Sequence, residues 1–253
     1  MKYDVYISYN DSECQTMLNV RDFLLGKGMS VFTHLTMDDA VNVHGNYLRV
    51  VSAVGRKVSL ETIHAEQWRF HPYHVGDEVE FSNPRTHDVL FSANVVDVVQ
   101  TEHGADIVID RDVPDCPKGT LVEDCTWIPD VRIANCHFHD TLHLRLSGRG
   151  KWLVEENRMA RGAGVLINDL GGYWGEAGRT ADMTIRHNFF DDFTARVVGK
   201  PVIQAEVEGR GKSEVRVHRG IRILENRHRG ANGAFVDLPC AVDPVVRGNI
   251  CLE

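Results

Sequence analysis

The sequence predicts an all-β fold, a parallel β-helix interrupted by a small antiparallel domain, on three observations. A short aliphatic or β-branched run leads into an Asn five times in the second half of the chain. Further short apolar strands lie between those Asn positions, with no helix-period segment separating them. Residues 50–124 break this pattern and alternate in strands divided by Gly, Asn-Pro and Pro-Asp signals.

Taken in order, the first 35 residues admit two readings. KYDVYISYND, SECQTMLNVRDFLLGKG and MSVFTHL fit strand, capped helix and strand, the opening of a TIR-type α/β domain. An α/β domain needs several more strand-helix units, and the chain moves instead into all-β sequence, so the stretch is assigned to the solenoid. Residues 1–49 and 125–253 are thus expected to form the parallel β-helix. Residues 50–124 (LRVVSAVGRKVSLET as far as GTLVED) are expected to form a small antiparallel sheet or barrel inserted in a solenoid loop, walling one side of a groove.

The repeats are VRIANCHF, WLVEENRM, MTIRHNFF, IRILENRH and VVRGNICL, with Asn at 135, 157, 188, 226 and 249. Second strands between them read LHLRL, AGVLIN, PVIQAEV and GAFVDL. Strands of successive turns pair, so like residues stack. An Asn at each bend can hydrogen-bond the next turn and accept the left-handed corner geometry, with Cys136 and the preceding aliphatics filling the interior.

Composition narrows the function. With 253 residues, 43% hydrophobic, 25% charged, 22 Gly and 8 Pro, the chain is neither disordered nor collagen-like. Lys and Arg total 28 against 36 Asp and Glu, a net charge of -8, which argues against a nucleic-acid partner. No run approaches the ~20 apolar residues of a bilayer span, so no membrane insertion is expected, and MKYDVYISYND lacks the apolar core of a signal peptide. The six Cys form no C-x-x-C pair and do not assign a redox compartment.

Candidate chemistry concentrates in TMDDAVNVHGNYLRV. Alternation puts Val41 and Val43 on the interior face and Asp38, Asn42 and His44 on the outer one. A turn at Asp38-Asp39 would bring both carboxylates to solvent. The same parity sends Leu142, Leu144 and Leu146 inward and His143 and Arg145 outward, with Gln204, Glu206 and Glu208 outward on a later strand. The Gly-rich insertion LGGYWGEAGRTAD adds Tyr173 and Trp174, platforms for the apolar face of a sugar, and the carboxylate Glu176. A wall of carboxylate, imidazole and guanidinium suits a many-hydroxyl ligand. His137 and His139 lack a third ligand at ordinary spacing, so no metal or organic cofactor is expected.

DDAVNVHGNYLRV, GDEVEF, RGKWLVEEN, GAGVLIND, YWGEAG and MTIRHNFF, in that order, resemble glycoside hydrolase family 110, the β-helical α-1,3-galactosidases. The resemblance runs over roughly residues 13 to 250. It implies a right-handed β-helix carrying small β-barrel domains, and exo-acting release of terminal α-1,3-linked galactose from a carbohydrate substrate with inversion. It also implies acidic chemistry at Asp38 and Asp39, with Glu13 as the counterpart of an upstream acid. This sequence carries Glu where the family has Asp at that upstream position, and Asn168 and Asp169 stand displaced by a residue from the family pattern. Family members have many more residues ahead of this point. N-terminal coils are therefore expected beyond this chain, along with export directed by a signal peptide on the longer protein.

Two rival functions follow from the same fold. A polysaccharide lyase or uronan epimerase needs a base and Ca²⁺ or cationic side chains against a uronate, and the acidic balance disfavours an anionic polymer. A non-catalytic β-helix would bind glycans through its stacking residues without clustered acids.

Overall fold

The computed structural model describes residues 5–9, 31–35, 40–68, 71–139, 141–162, 164–192, 201–207, 215–230 and 233–253. Strands dominate, and the helical turn among the described residues is the short 3-10 turn Ala65–Gln67.

Val5–Tyr9 and Val31–Leu35 pair in parallel as a separate two-stranded sheet, Val5 opposite Val31. A solenoid turn and a strand-helix-strand unit would both give that pairing. Glu13 lies outside the described residues.

From Val131 onward the chain visits three parallel sheets in rotation. The first holds Val131–Ala134, Lys151–Glu155, Asp182–Arg186, Ile221–Leu224 and Val245–Arg247. The second holds His137–His139, Arg158–Ala160, Phe189–Asp191, Arg227–Arg229 and Ile250–Cys251. The third stacks Val41–Val43, Leu144–Leu146, Val165–Asp169, Ile203–Val207 and Val236–Asp237. This rotation is the path of a parallel β-helix.

In-register pairing stacks like on like. Val154, Ile185 and Ile223 form one fully buried interior row, and Leu144, Val165 and Ile203 another. Val41 and Val43 pack against this core while Asn42 is exposed, the parity expected from alternation. Val165–Asp169 is buried throughout, because its outer face is covered as well.

An amide ladder locks the coils. Asn157 Nδ2 donates to Asn188 Oδ1 at 3.0 Å, Asn188 to Asn226 at 3.0 Å and Asn226 to Asn249 at 2.9 Å. Each Oδ1 also accepts a backbone N–H from the coil before, and each Nδ2 donates to a carbonyl there, as Asn188 does to Val154. The left-handed corner belongs to the preceding residue: Glu156, His187, Glu225 and Gly248 have φ of 56°, 54°, 54° and 67°. At the first coil the register is offset by one from the Asn-based expectation. Asn135 takes the left-handed corner (φ 57°), and Cys136 occupies the ladder position, exposed and not interior, with its N–H bound to Asn157 Oδ1. Asn188→Ala would strand the Asn157 N–H and the Val154 carbonyl in a dry interior. It is expected to lower the free energy of unfolding by about 3 kcal/mol in urea titration.

Between Val43 and Val131 six antiparallel strands form a closed ring of pairings. Gly45–Val54 pairs Lys57–Thr62, which pairs Gly104–Ile109, which pairs Val89–Thr101. Val89–Thr101 pairs Glu78–Ser82, which pairs Leu121–Asp124, which returns to Gly45–Val54. The enclosed core includes Leu48, Tyr73, Phe81, Ile107 and Val122. The ring leaves the coils after a third-sheet strand and re-enters at a first-sheet strand. That is the same corner from which residues 170–181 project, and Glu176–Ala177 pairs antiparallel with Gly45 and Asn46.

Candidate functional site

At that shared corner lies an open polar cavity of about 510 Å³, lined by Asn42, His44, Asn46, His64, Glu66, Gln67, Arg145, Trp174 and Glu176. Its size falls within the usual range of small-ligand sites, roughly 300–1,000 Å³. Three chain segments converge to make it. The third-sheet strands supply Asn42 and Arg145, which sit opposite each other in register. The 170–181 loop supplies Trp174 and Glu176, and the ring supplies Asn46 and the turn at 64–67.

Glu176 is the hub. Its Oε1 accepts from Asn42 Nδ2 at 3.1 Å and lies 3.5 Å from His44 Nε2; its Oε2 lies 3.9 Å from an Arg145 guanidinium nitrogen. The carboxylate is held mostly out of water, with its side chain 12% exposed. His44 Nδ1 is 2.6 Å from the Gly45 carbonyl oxygen, so Nδ1 carries the proton there and Nε2 is the atom turned to Glu176. The wall thus gathers the amide donor of Asn42, the guanidinium of Arg145 and the acceptor oxygens of Glu176, groups that the hydroxyls of a pyranose can satisfy.

The rim is aromatic. Tyr173 is 66% and Trp174 45% exposed, and His64 lies within 5.8 Å and 5.7 Å of their ring centres. Gly175, at φ +62°, closes the loop against the ring; a Cβ there would meet Ile63 Cδ1 at 2.8 Å.

Behind the cavity a buried ionic network fastens the ring to the coils. Arg149 pairs with Glu80 at 2.6 Å and Glu123 at 2.7 Å, and Arg179 also pairs with Glu80. His87 Nδ1 lies 3.0 Å from Asp169 Oδ2, and Tyr47 donates its hydroxyl to the same oxygen at 3.4 Å. Burial alone would raise the Asp169 carboxyl, but the hydrogen bond and charge of His87 outweigh it and hold the group below the ordinary carboxylate range. Glu80 behaves alike: burial opposes its charge, and Arg149 and Arg179 more than offset it. Burial dominates at Glu123 and pushes its carboxyl up despite Arg149. Burial, with Asp169 beside it, pushes the Tyr47 hydroxyl well up.

Of the sequence-predicted residues, Asn42, His44, Arg145, Trp174 and Glu176 line one cavity, and Tyr173 stands at its rim beside His64 and Trp174. His143 does not line it; its carbonyl accepts from the Ala40 N–H, ahead of the paired strand. Gln204 and Glu206 stand farther along the third sheet, outside the lining, and Glu208 lies outside the described residues. Asp38 and Asp39 also lie outside the described residues, immediately before Ala40. His64, Glu66 and Gln67 carry no motif and become visible only through the packing of ring on loop. Among the described residues no group of three or more His, Cys, Asp or Glu converges to hold a metal ion, and no helix is long and apolar enough to cross a membrane.

No protein-family model matches the chain. Curated relatives do. Alpha-1,3-galactosidase A of Akkermansia muciniphila is 29% identical over 233 residues, covering 89% of this chain and 37% of that protein. Alpha-1,3-galactosidase A of Bacteroides thetaiotaomicron is 29% identical over 198 residues, 75% of this chain and 34% of the relative. The namesake from Bacteroides fragilis strain ATCC 25285 is 31% identical over 212 residues, 76% of this chain and 33% of the relative. The chain therefore spans about a third of the length of these relatives.

Proposed function

We propose that this chain carries the active site of an exo-acting glycosidase of the glycoside hydrolase family 110 type, releasing terminal α-1,3-linked galactose with inversion. The observation that carries the proposal is the cavity around Glu176, whose wall of clustered donors and acceptors begins on the strand that directly follows Asp38-Asp39. The similarity to proteins named alpha-1,3-galactosidase supports the same reading. In this reading the coil is right-handed and residues 50–124 are an inserted barrel domain that closes the open side of the cavity.

One of Asp38 and Asp39 acts directly in the acid-base chemistry and pairs with a second acid, Glu13 being the first candidate. Asp39 is three residues ahead of Asn42, so their Cα atoms are separated by at most about 11 Å of extended chain. Inversion needs one carboxylic acid to protonate the departing oxygen and one carboxylate, roughly 6.5–9.5 Å away, to activate water on the opposite face. Asn42, His44, Arg145 and Glu176 orient the galactose hydroxyls, and Tyr173 and Trp174 stack on a sugar face.

The test is NMR of the anomer first released from an α-1,3-galactosyl disaccharide. β-Galactose is the expected first product; α-galactose would overturn inversion, and no release would overturn the function. Glu176→Gln keeps the volume but removes the charge that Asn42 and Arg145 address. It is expected to lower kcat/KM about 10- to 100-fold through KM, read from initial rates.

A further inference from the structure

The exposed aromatic pair beside the cavity is not a loose feature of the surface. Tyr173 and Trp174 form a contiguous exposed aromatic pair, the kind of patch that can serve as a contact site. Here the peptide that bears them is anchored from the ring at several points. Arg49 donates to the carbonyls of Gly171 and Gly172 at 3.2 Å and 2.9 Å, and the Tyr47 N–H to that of Gly175 at 2.7 Å. His64 completes the hold at the point that matters for the rings. Its Nε2 lies 2.8 Å from the Trp174 carbonyl oxygen, an acceptor, so Nε2–H is the donor. The imidazole lies nearly parallel to Tyr173, at 17°, and edge-on to Trp174, at 80°. Tyr173 and Trp174 are themselves perpendicular, with centres 5.0 Å apart. One ring residue thus fixes both the backbone and the faces of two aromatics on a coil loop.

We propose that His64 is a positioning residue, which sets Tyr173 and Trp174 as a stacking platform for the sugar on the reducing side of the cleaved bond. This rests on the galactosidase reading above and deepens it: the coil wall around Glu176 takes the terminal galactose, and the ring selects what that galactose is attached to. The ligand is a neutral pyranose. Its apolar face meets the aromatics, and Glu66, on the same wall of the cavity as His64, disfavours a carboxylated or sulfated unit.

Preorganising the platform spares the ordering of two side chains on binding. Two substrates separate the roles: an α-1,3-galactosyl disaccharide, which reaches the platform, and α-galactosyl fluoride, whose leaving group is a single atom. In the full chain, His64→Ala is expected to lower kcat/KM for the disaccharide about tenfold more than for the fluoride, mainly through KM. His64→Gln, whose side-chain amide can donate to the same carbonyl, should recover part of that loss. Trp174→Ala should reproduce the selective loss. Quenching of tryptophan fluorescence by the disaccharide should weaken in His64→Ala by the same factor. Equal losses on both substrates, no loss on either, or a His64→Gln variant no better than His64→Ala would each overturn the proposal. A wild-type chain inactive on both substrates would instead remove the galactosidase reading, a distinct failure.

Discussion

Asn in place of Asp38 or Asp39 is expected to lower turnover of an α-1,3-linked galactose disaccharide by about a thousandfold or more, with the fold intact. Asn preserves the shape of Asp but neither gives nor takes the proton that bond cleavage requires. The residues proposed to hold the sugar, Asn42, His44, Arg145 and Glu176, are untouched by either change. KM should therefore move little while kcat collapses. The check pairs steady-state kinetics with circular dichroism of the purified variants. Near-wild-type kcat in both would remove these aspartates from the chemistry.

The second large effect is on stability. Arg149→Met removes the cation that Glu80 and Glu123 share at the junction of ring and coil; Glu80 keeps Arg179, but the buried Glu123 carboxylate loses its ion pair. Breaking a buried pair in this way costs about 3–5 kcal/mol, measurable by urea titration. Arg132, on the first sheet, is itself exposed and screened by water, and its partner Glu155 keeps Arg186 at 2.7 Å, so Arg132→Met should cost far less. The network also carries a pH signature. Asp169 and Glu80 titrate below their unfolded values, so their contribution is present at neutral pH and is lost as pH falls through the folded-state values. Glu123, whose carboxyl is raised, acts in the opposite sense, and protonating it relieves part of its burial cost. Arg149→Met should therefore lose less stability on acidification than the wild type does, a difference visible between neutral pH and pH values below the ordinary carboxylate range.

The stacked coils were legible because parallel in-register pairing makes each coil repeat the chemistry of the last. Val154, Ile185 and Ile223 occupy one row, so the repeat is written into the sequence. The cavity was partly legible for the same reason: strand parity alone separates Asn42 from Val41 and Val43, and register then brings Arg145 beside it. Parity does not decide everything: His143, just ahead of its strand, still accepts the Ala40 N–H but does not line the cavity. The corner geometry was read one residue late. The Asn side chain must run along the ladder, so the bend passes to its predecessor, and only Gly248 advertises that in its residue type. The ionic network and His64 could not be read at all. Glu80 meets Arg179 across 99 positions and His64 meets Trp174 across 110, and no local pattern encodes contacts made by docking one folded unit on another.

The amide ladder has a consequence for how such a molecule can change. Successive rungs are 21, 31, 38 and 23 residues apart, yet each donates the same backbone N–H to the Oδ1 of the next Asn. The column registers turns and is indifferent to how much polypeptide each turn spends at its outer bends. Lengthening the bend that carries Tyr173, Trp174 and Glu176 would redraw the cavity wall while every rung stayed in place. New specificity can therefore be grafted onto this shaft one bend at a time, with the shaft itself left unchanged.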